Sequence, residues 1–110
     1  MSEITLERVE RSVSFLCDSD IDYANAKALY DGLTEQRKTV KAQIFLRSGQ
    51  KTVDAKNADS YSSEVYKRHL QKIETAQVNY LTLQAQRSTA AIIIDCWRSL
   101  NSARSKGQIV

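Results

Sequence analysis

From Tyr66 onward, side chains that avoid water recur at spacings of three and four: Tyr66, Ile73, Ala76, Tyr80, Leu83, Ala90, Ile94 and Trp97, with His69 and Arg87 on the same stripe. This is the pattern of one long helix with a heptad-like seam. A second stripe precedes it in Tyr23, Ala26, Tyr30, Leu33, Val40 and Ile44, with Arg37 where the spacing asks for an apolar group. Two matched stripes joined by a polar stretch predict an all-α chain built as a long antiparallel, coiled-coil-like helical hairpin. A shorter stripe, Leu6, Val9, Val13 and Leu16, adds a short N-terminal helix.

Turn and cap residues set the expected boundaries of a single helical domain: a short helix within 1–18, a helix over 20–48, a connector over 49–59, a long helix over 60–104 and a tail over 105–110. Ser2 or Thr5 is suited to cap the first helix, and the break falls at Asp18-Ser19-Asp20. Asp18 or Ser19 then caps the second helix, with Asp20 and Asp22 in its first turn, where negative charge is favourable. Gly32 lies inside that helix, where it is either tolerated or gives a neighbour close access. Ser48-Gly49-Gln50 is the stop signal; the polar segment 50–60 reads as the connector, with an early start of the next helix at Thr52, followed by Ala55 and Ala58, as the alternative. Asp59 or Ser60 is the other candidate cap, and Gly107 a stop for the long helix. A helix of that length extends roughly 60 Å at 1.5 Å per residue.

At 110 residues the chain is most simply one domain, burying about two-thirds of its unfolded surface. A core so thin leaves apolar seam residues in excess, so a homodimer is expected, with Tyr80, Leu83, Ile93 and Trp97 as candidate protein-interface residues. Ile92, Ile93 and Ile94 cover nearly every helical direction. They predict a local three-helix core around Trp97, closed by the N-terminal helix and the second helix.

Cys17 and Cys96 have no cysteine, histidine or paired acid at ligand spacing, and are expected to be reduced, buried thiols, a disulfide being the alternative. The N-terminus carries charges where an export signal would be apolar, and Ala90–Ile94 is too short to span a bilayer, so the expected location is the cytoplasm, without membrane contact.

Charge divides the chain. Residues 1–35 hold eight acids against three bases, a net of −5, and residues 36–110 hold thirteen bases against five acids, a net of +8. In a hairpin turning near 50–58, Arg37, Lys38, Lys41, Arg47, Lys51, Lys67 and Arg68 gather near the tip as candidate nucleic-acid contacts, with Tyr61 or Tyr66 to stack on an unpaired base. The same register puts Arg87 across from Asp20–Tyr23, where it either pairs with Asp20 or Asp22 or stacks on Tyr23.

Nothing points to catalysis, a metal or a cofactor. His69 has no oriented nucleophile or acid at a telling spacing, and no phosphate-binding glycine loop or nucleophile elbow occurs. Asp18, Asp20 and Asp22 alternate like the first ligands of a calcium loop, but the glycine and terminal glutamate of such a loop do not follow. The expected activity is binding.

The stretch Tyr30-Asp31-Gly32-Leu33-Thr34-Glu35-Gln36-Arg37-Lys38-Thr39-Val40-Lys41-Ala42, with Ile94-Asp95-Cys96-Trp97-Arg98-Ser99-Leu100, resembles small orphan helical proteins of tailed phages and prophages. That resemblance implies a non-enzymatic accessory protein that binds and modulates a host or phage protein of the recombination, replication or host-defence machinery. The alternative is direct binding of DNA or RNA through the basic tip.

Overall fold

The computed structural model describes residues 3–107, which form four helices: α1 (Leu6–Asp18), α2 (Asp20–Arg47), α3 (Val53–Ser62) and α4 (Glu64–Ser105). The protein is all-α, with a short N-terminal helix α1 and a dominant long antiparallel pair α2/α4 of hairpin-like architecture. It divides into two compact units, one comprising the chain up to Ala24 together with that from Leu81 on, the other Asn25–Tyr80.

In the first unit, Thr5 caps α1. Its extended backbone and its Oγ1, which accepts from Arg8 N at 3.1 Å, satisfy a first-turn amide. Ser2, the other candidate cap, lies outside the described residues. The expected apolar face is not the packed one: Val9 and Ser12 are buried, whereas Leu6 and Val13 remain 55% and 46% exposed. The packed stripe runs through Val9, Ser12, Leu16 and Ser19, turned slightly from the apolar stripe. Serine is tolerated there because the Ser12 hydroxyl donates to Arg8 O at 2.9 Å, so its burial leaves no unmet donor.

The expected break at Asp18–Asp20 is a shallow one. Ser19 N donates to Phe15 O and Tyr23 N to Ser19 O, both at 2.9 Å, so helical bonding persists across the joint and the chain does not reverse. For that reason the three-helix core expected around Trp97 does not form: α4 meets α1 and the first turn of α2 within this unit. Ile93, Ile94 and Trp97 are half-buried, Ile92 is exposed, and Cys17 and Cys96 are exposed free thiols rather than buried ones.

Arg87 of α4 supports this joint. Its Nη1 donates to Leu16 O at 2.9 Å and to Ser19 Oγ at 2.8 Å, its Nη2 reaches Asp20 Oδ1 at 2.7 Å, and its guanidinium lies 5.1 Å from the Tyr23 ring centroid. The last turn of α1 has no basic residue of its own. Arg87 therefore provides, from the partner helix, the cation that a helix C-terminus favours. Ser19 spends its hydroxyl here rather than on capping α2. At the far end of α4, Gly107 adopts φ 72°, a left-handed conformation suited to glycine, and its N donates to Arg104 O at 3.0 Å. The rest of the expected tail, residues 108–110, lies outside the described residues.

In the second unit, small residues alternate with rings along the seam. Ala26 and Ala76 are buried, and the Tyr30 and Tyr80 rings stack with centroids 5.8 Å apart and planes 16° from parallel. His69 is buried and donates from Nε2 to Leu33 O at 2.7 Å, a structural use of the lone histidine. α2 stops without a left-handed glycine: Ser48 N donates to Phe45 O, and the Ser48 hydroxyl donates to Asp59 at 2.6 Å while accepting from Gln50 N.

The expected connector over 49–59 contains most of α3. Thr52 caps it, accepting from Ala55 N at 3.1 Å, which is the early start its sequence permits. α3 ends because Ser63 is extended (φ −63°, ψ 136°), and Ser63 caps α4 through Val65 N and Lys67 N, so the long helix begins at Glu64 rather than at residue 60. Asp59 and Ser60 are not its caps. Ser60 is fully buried and lies within hydrogen-bonding distance of both Lys56 O and Lys41 O.

Three substitutions test this account by denaturant unfolding. Nothing lies within 4 Å of a Cβ built on Gly32, which excludes the close-approach role, so Gly32→Ala should raise stability by about 0.5–1 kcal/mol. Arg87→Ala should lower it by about 1–3 kcal/mol through loss of the Leu16 and Ser19 bonds, whereas Asp20→Asn, at an exposed carboxylate, should cost less than about 1 kcal/mol.

Candidate nucleic-acid interface

All seven candidate cations, Arg37, Lys38, Lys41, Arg47, Lys51, Lys67 and Arg68, fall in the second unit. Residues 36–72 carry nine Lys or Arg against Asp54, Asp59 and Glu64, a net of +6. Pairing removes little of this charge. Lys67 approaches Glu64 at 3.8 Å with both side chains largely exposed, and Arg68 Nε donates to Glu64 O at 3.4 Å. Among the described residues, Arg37, Lys38, Arg47 and Lys51 form no ion pair, and all four are exposed.

The helix α3 gives these cations an aromatic setting. Lys41 Nζ donates to Tyr61 Oη at 2.5 Å and lies 4.0 Å from the ring centroid. Tyr61 in turn meets Tyr66 edge-to-face, centroids 6.0 Å apart and planes at 84°. The two tyrosines named as stacking candidates therefore have different standing, because Tyr66 is buried and Tyr61 is 57% exposed. Lys56 Nζ stands 5.4 Å from the Phe45 centroid, and Lys38, Lys41, Ala42, Phe45, Leu46 and Asn57 line a groove of about 350 Å³ between α2 and α3. Lys56 belongs to the basic set that the sequence gathers around the connector, but Phe45 carries no signal in the sequence, since its pairing with Lys56 requires α3 to lie along α2. On another face Arg47, Ser48 and Asp59 contribute to a more polar groove of about 440 Å³.

The hydrogen bond and positive charge of Lys41, reinforced by the charge of Arg37, stabilise the phenolate and hold the Tyr61 pKa below its usual value. Arg37, the cation at a seam position, thus contributes field rather than packing.

The candidate protein-interface residues are divided between the units. Tyr80 stacks on Tyr30 in the second, whereas Leu83, Ile93 and Trp97 are half-buried in the first. There, Phe15, Ala85, Thr89, Ala90 and Ile93 line a groove of about 530 Å³ between α1 and α4, bordered by Arg8 and Arg11. Among the described residues no cluster of three or more His, Cys, Asp or Glu could hold a metal ion, and no helix is long and apolar enough to cross a membrane. Asp20 and Asp22 lie in the first turn of α2, with Asp20 engaged by Arg87, and Asp18 is the last residue of α1. Compared with family models, curated proteins and solved structures, the chain matches none.

Tyr61 should ionise below the ordinary tyrosine value of about 10. Subtracting the phenolate absorbance titration of Tyr61→Phe from that of the parent protein isolates its midpoint. In Lys41→Met that midpoint should rise towards the ordinary value, because the cation that favours the phenolate is gone.

Proposed function

We propose that this protein is a non-enzymatic accessory factor of nucleic-acid transactions, of the phage type its resemblance implies, acting in the cytoplasm. Its second unit contacts the phosphates of a nucleic acid. The observation that carries this reading is the unneutralised charge of exposed Arg37, Lys38, Arg47 and Lys51, in the unit that also holds the exposed Tyr61. An ordinary solvated helix face offsets its cations within a turn, as Lys27 does with Asp31 at 2.9 Å. Residues 36–72 leave most of theirs available to a polyanion, which would release counterions on binding.

A second reading is favoured by the apolar groove of the first unit: a protein of the nucleic-acid machinery, or a second copy of the chain in a homodimer, covers Phe15 and Ile93. Only this reading uses the exposed Leu6 and Val13 of α1.

Direct phosphate contact makes affinity fall steeply with salt, with a log–log slope of about −3 if the four unpaired cations each meet one phosphate. Combined reversal by Lys38→Glu, Arg47→Glu and Lys51→Glu should weaken binding to unrelated sequences about equally and flatten that slope. Pull-down from extract with and without nuclease separates the readings. Loss of every partner on nuclease treatment supports direct contact; a nuclease-resistant partner that survives the charge reversals supports docking.

A further inference from the structure

A charge patch alone would not distinguish a duplex from a single strand, but the side chains at its centre do. Tyr61 is a ring held in place without being buried: Lys41 bonds its hydroxyl at 2.5 Å, Tyr66 meets it edge-to-face, and more than half of the residue stays open to solvent. Tyr66, buried at the start of α4, is the fixed member of that pair. Buried Ser60, immediately before Tyr61, secures α3 against α2 through its position between Lys56 O and Lys41 O. The ring's place therefore follows from the backbone contact of two helices and does not wait for a ligand.

Cations lie on and near this ring. Lys41 lies over the ring, Lys38, Lys41 and Phe45 line the adjoining groove, and Lys56 stands over Phe45. Arg37 is close enough for its charge to act on the Tyr61 hydroxyl.

Resting on the phosphate-contact reading above, we propose that the ligand is single-stranded nucleic acid, one base of which stacks on Tyr61 while Lys38, Lys41 and Arg37 hold the flanking phosphates. A paired base within a duplex has both faces covered by its neighbours and offers no face to a tyrosine; an unpaired base does. Fixing the ring beforehand lowers the ordering cost of binding. Stacking reads neither sugar, so DNA and RNA strands are both ligands.

Fluorescence anisotropy with a labelled oligothymidylate and oligouridylate of roughly twenty nucleotides, and a duplex of equal length, tests this at low salt. Tyr61→Leu should weaken binding to both single strands by about 5- to 150-fold, the range of one lost aromatic stack, and leave duplex binding unchanged. Tyr61→Phe keeps the ring and should keep the single-strand affinity within about threefold. Because Tyr61 is exposed, both variants should retain parental circular dichroism. If folded Tyr61→Leu binds single strands as the parent does, while the lysine and arginine reversals abolish binding, stacking is overturned and phosphate contact stands. If the folded parent binds none of the three probes, both the inference and the phosphate-contact reading are overturned.

Discussion

A seam between two helices is one side chain deep, so each polar group placed on it must find its partner on its own helix or directly across. That constraint organises both units. Ser12 turns back to Arg8 O, Ser60 sits between Lys56 O and Lys41 O, His69 reaches Leu33 O, and Arg87 takes Leu16 O, Ser19 and Asp20. Among the described residues, no buried side-chain nitrogen or oxygen lacks a partner. Leaving one unmet would cost about 1–3 kcal/mol, a large share of the stability of a domain this small. The polar seam residues thus act as register pins: sliding one helix past the other would orphan Arg87 and His69 together, whereas an apolar seam would resist a slip less sharply.

The thin seam also leaves apolar side chains uncovered. Leu6 and Val13 were expected against α4 because they are apolar, yet the packed positions went to Val9 and Ser12. Small residues at the contact, Ser12 and Ala90 in one unit and Ala26 and Ala76 in the other, suit backbones that pack closely. Hydrophobicity favours burial of a residue, but the contact geometry chooses which face is buried. The released apolar positions are what a second surface could use.

The basic end follows a different physics. Its charges lie where α2, α3 and the start of α4 meet, so like charges from separate helices are brought together with few carboxylates to offset them. Such self-repulsion is unfavourable in isolation, and it is relieved by a polyanion. The cation–π contacts of Lys41 with Tyr61 and Lys56 with Phe45 relieve a part of it within the chain.

By itself the sequence determined the helical class, the two long stripes and their antiparallel pairing, because heptad spacing without proline leaves a helix no competing conformation and a short polar stretch allows only a hairpin return. It also placed Arg87 opposite Asp20 and Tyr23, since an approximate turn position is enough to fix a register to within a helical turn. Tertiary structure alone decided that Ser19 is a bend rather than a reversal, because that depends on Arg87 arriving from α4 to satisfy Leu16 O. It decided that Cys17 and Cys96 are exposed and that α1 buries Val9 and Ser12, because an amphipathic pattern names a face only to within the width of its stripe. The choice of Tyr61 over Tyr66 as the open ring was likewise invisible in the chain. Five residues apart on a presumed common helix, the two were separated by the extended backbone of Ser63, whose conformation no residue type demanded.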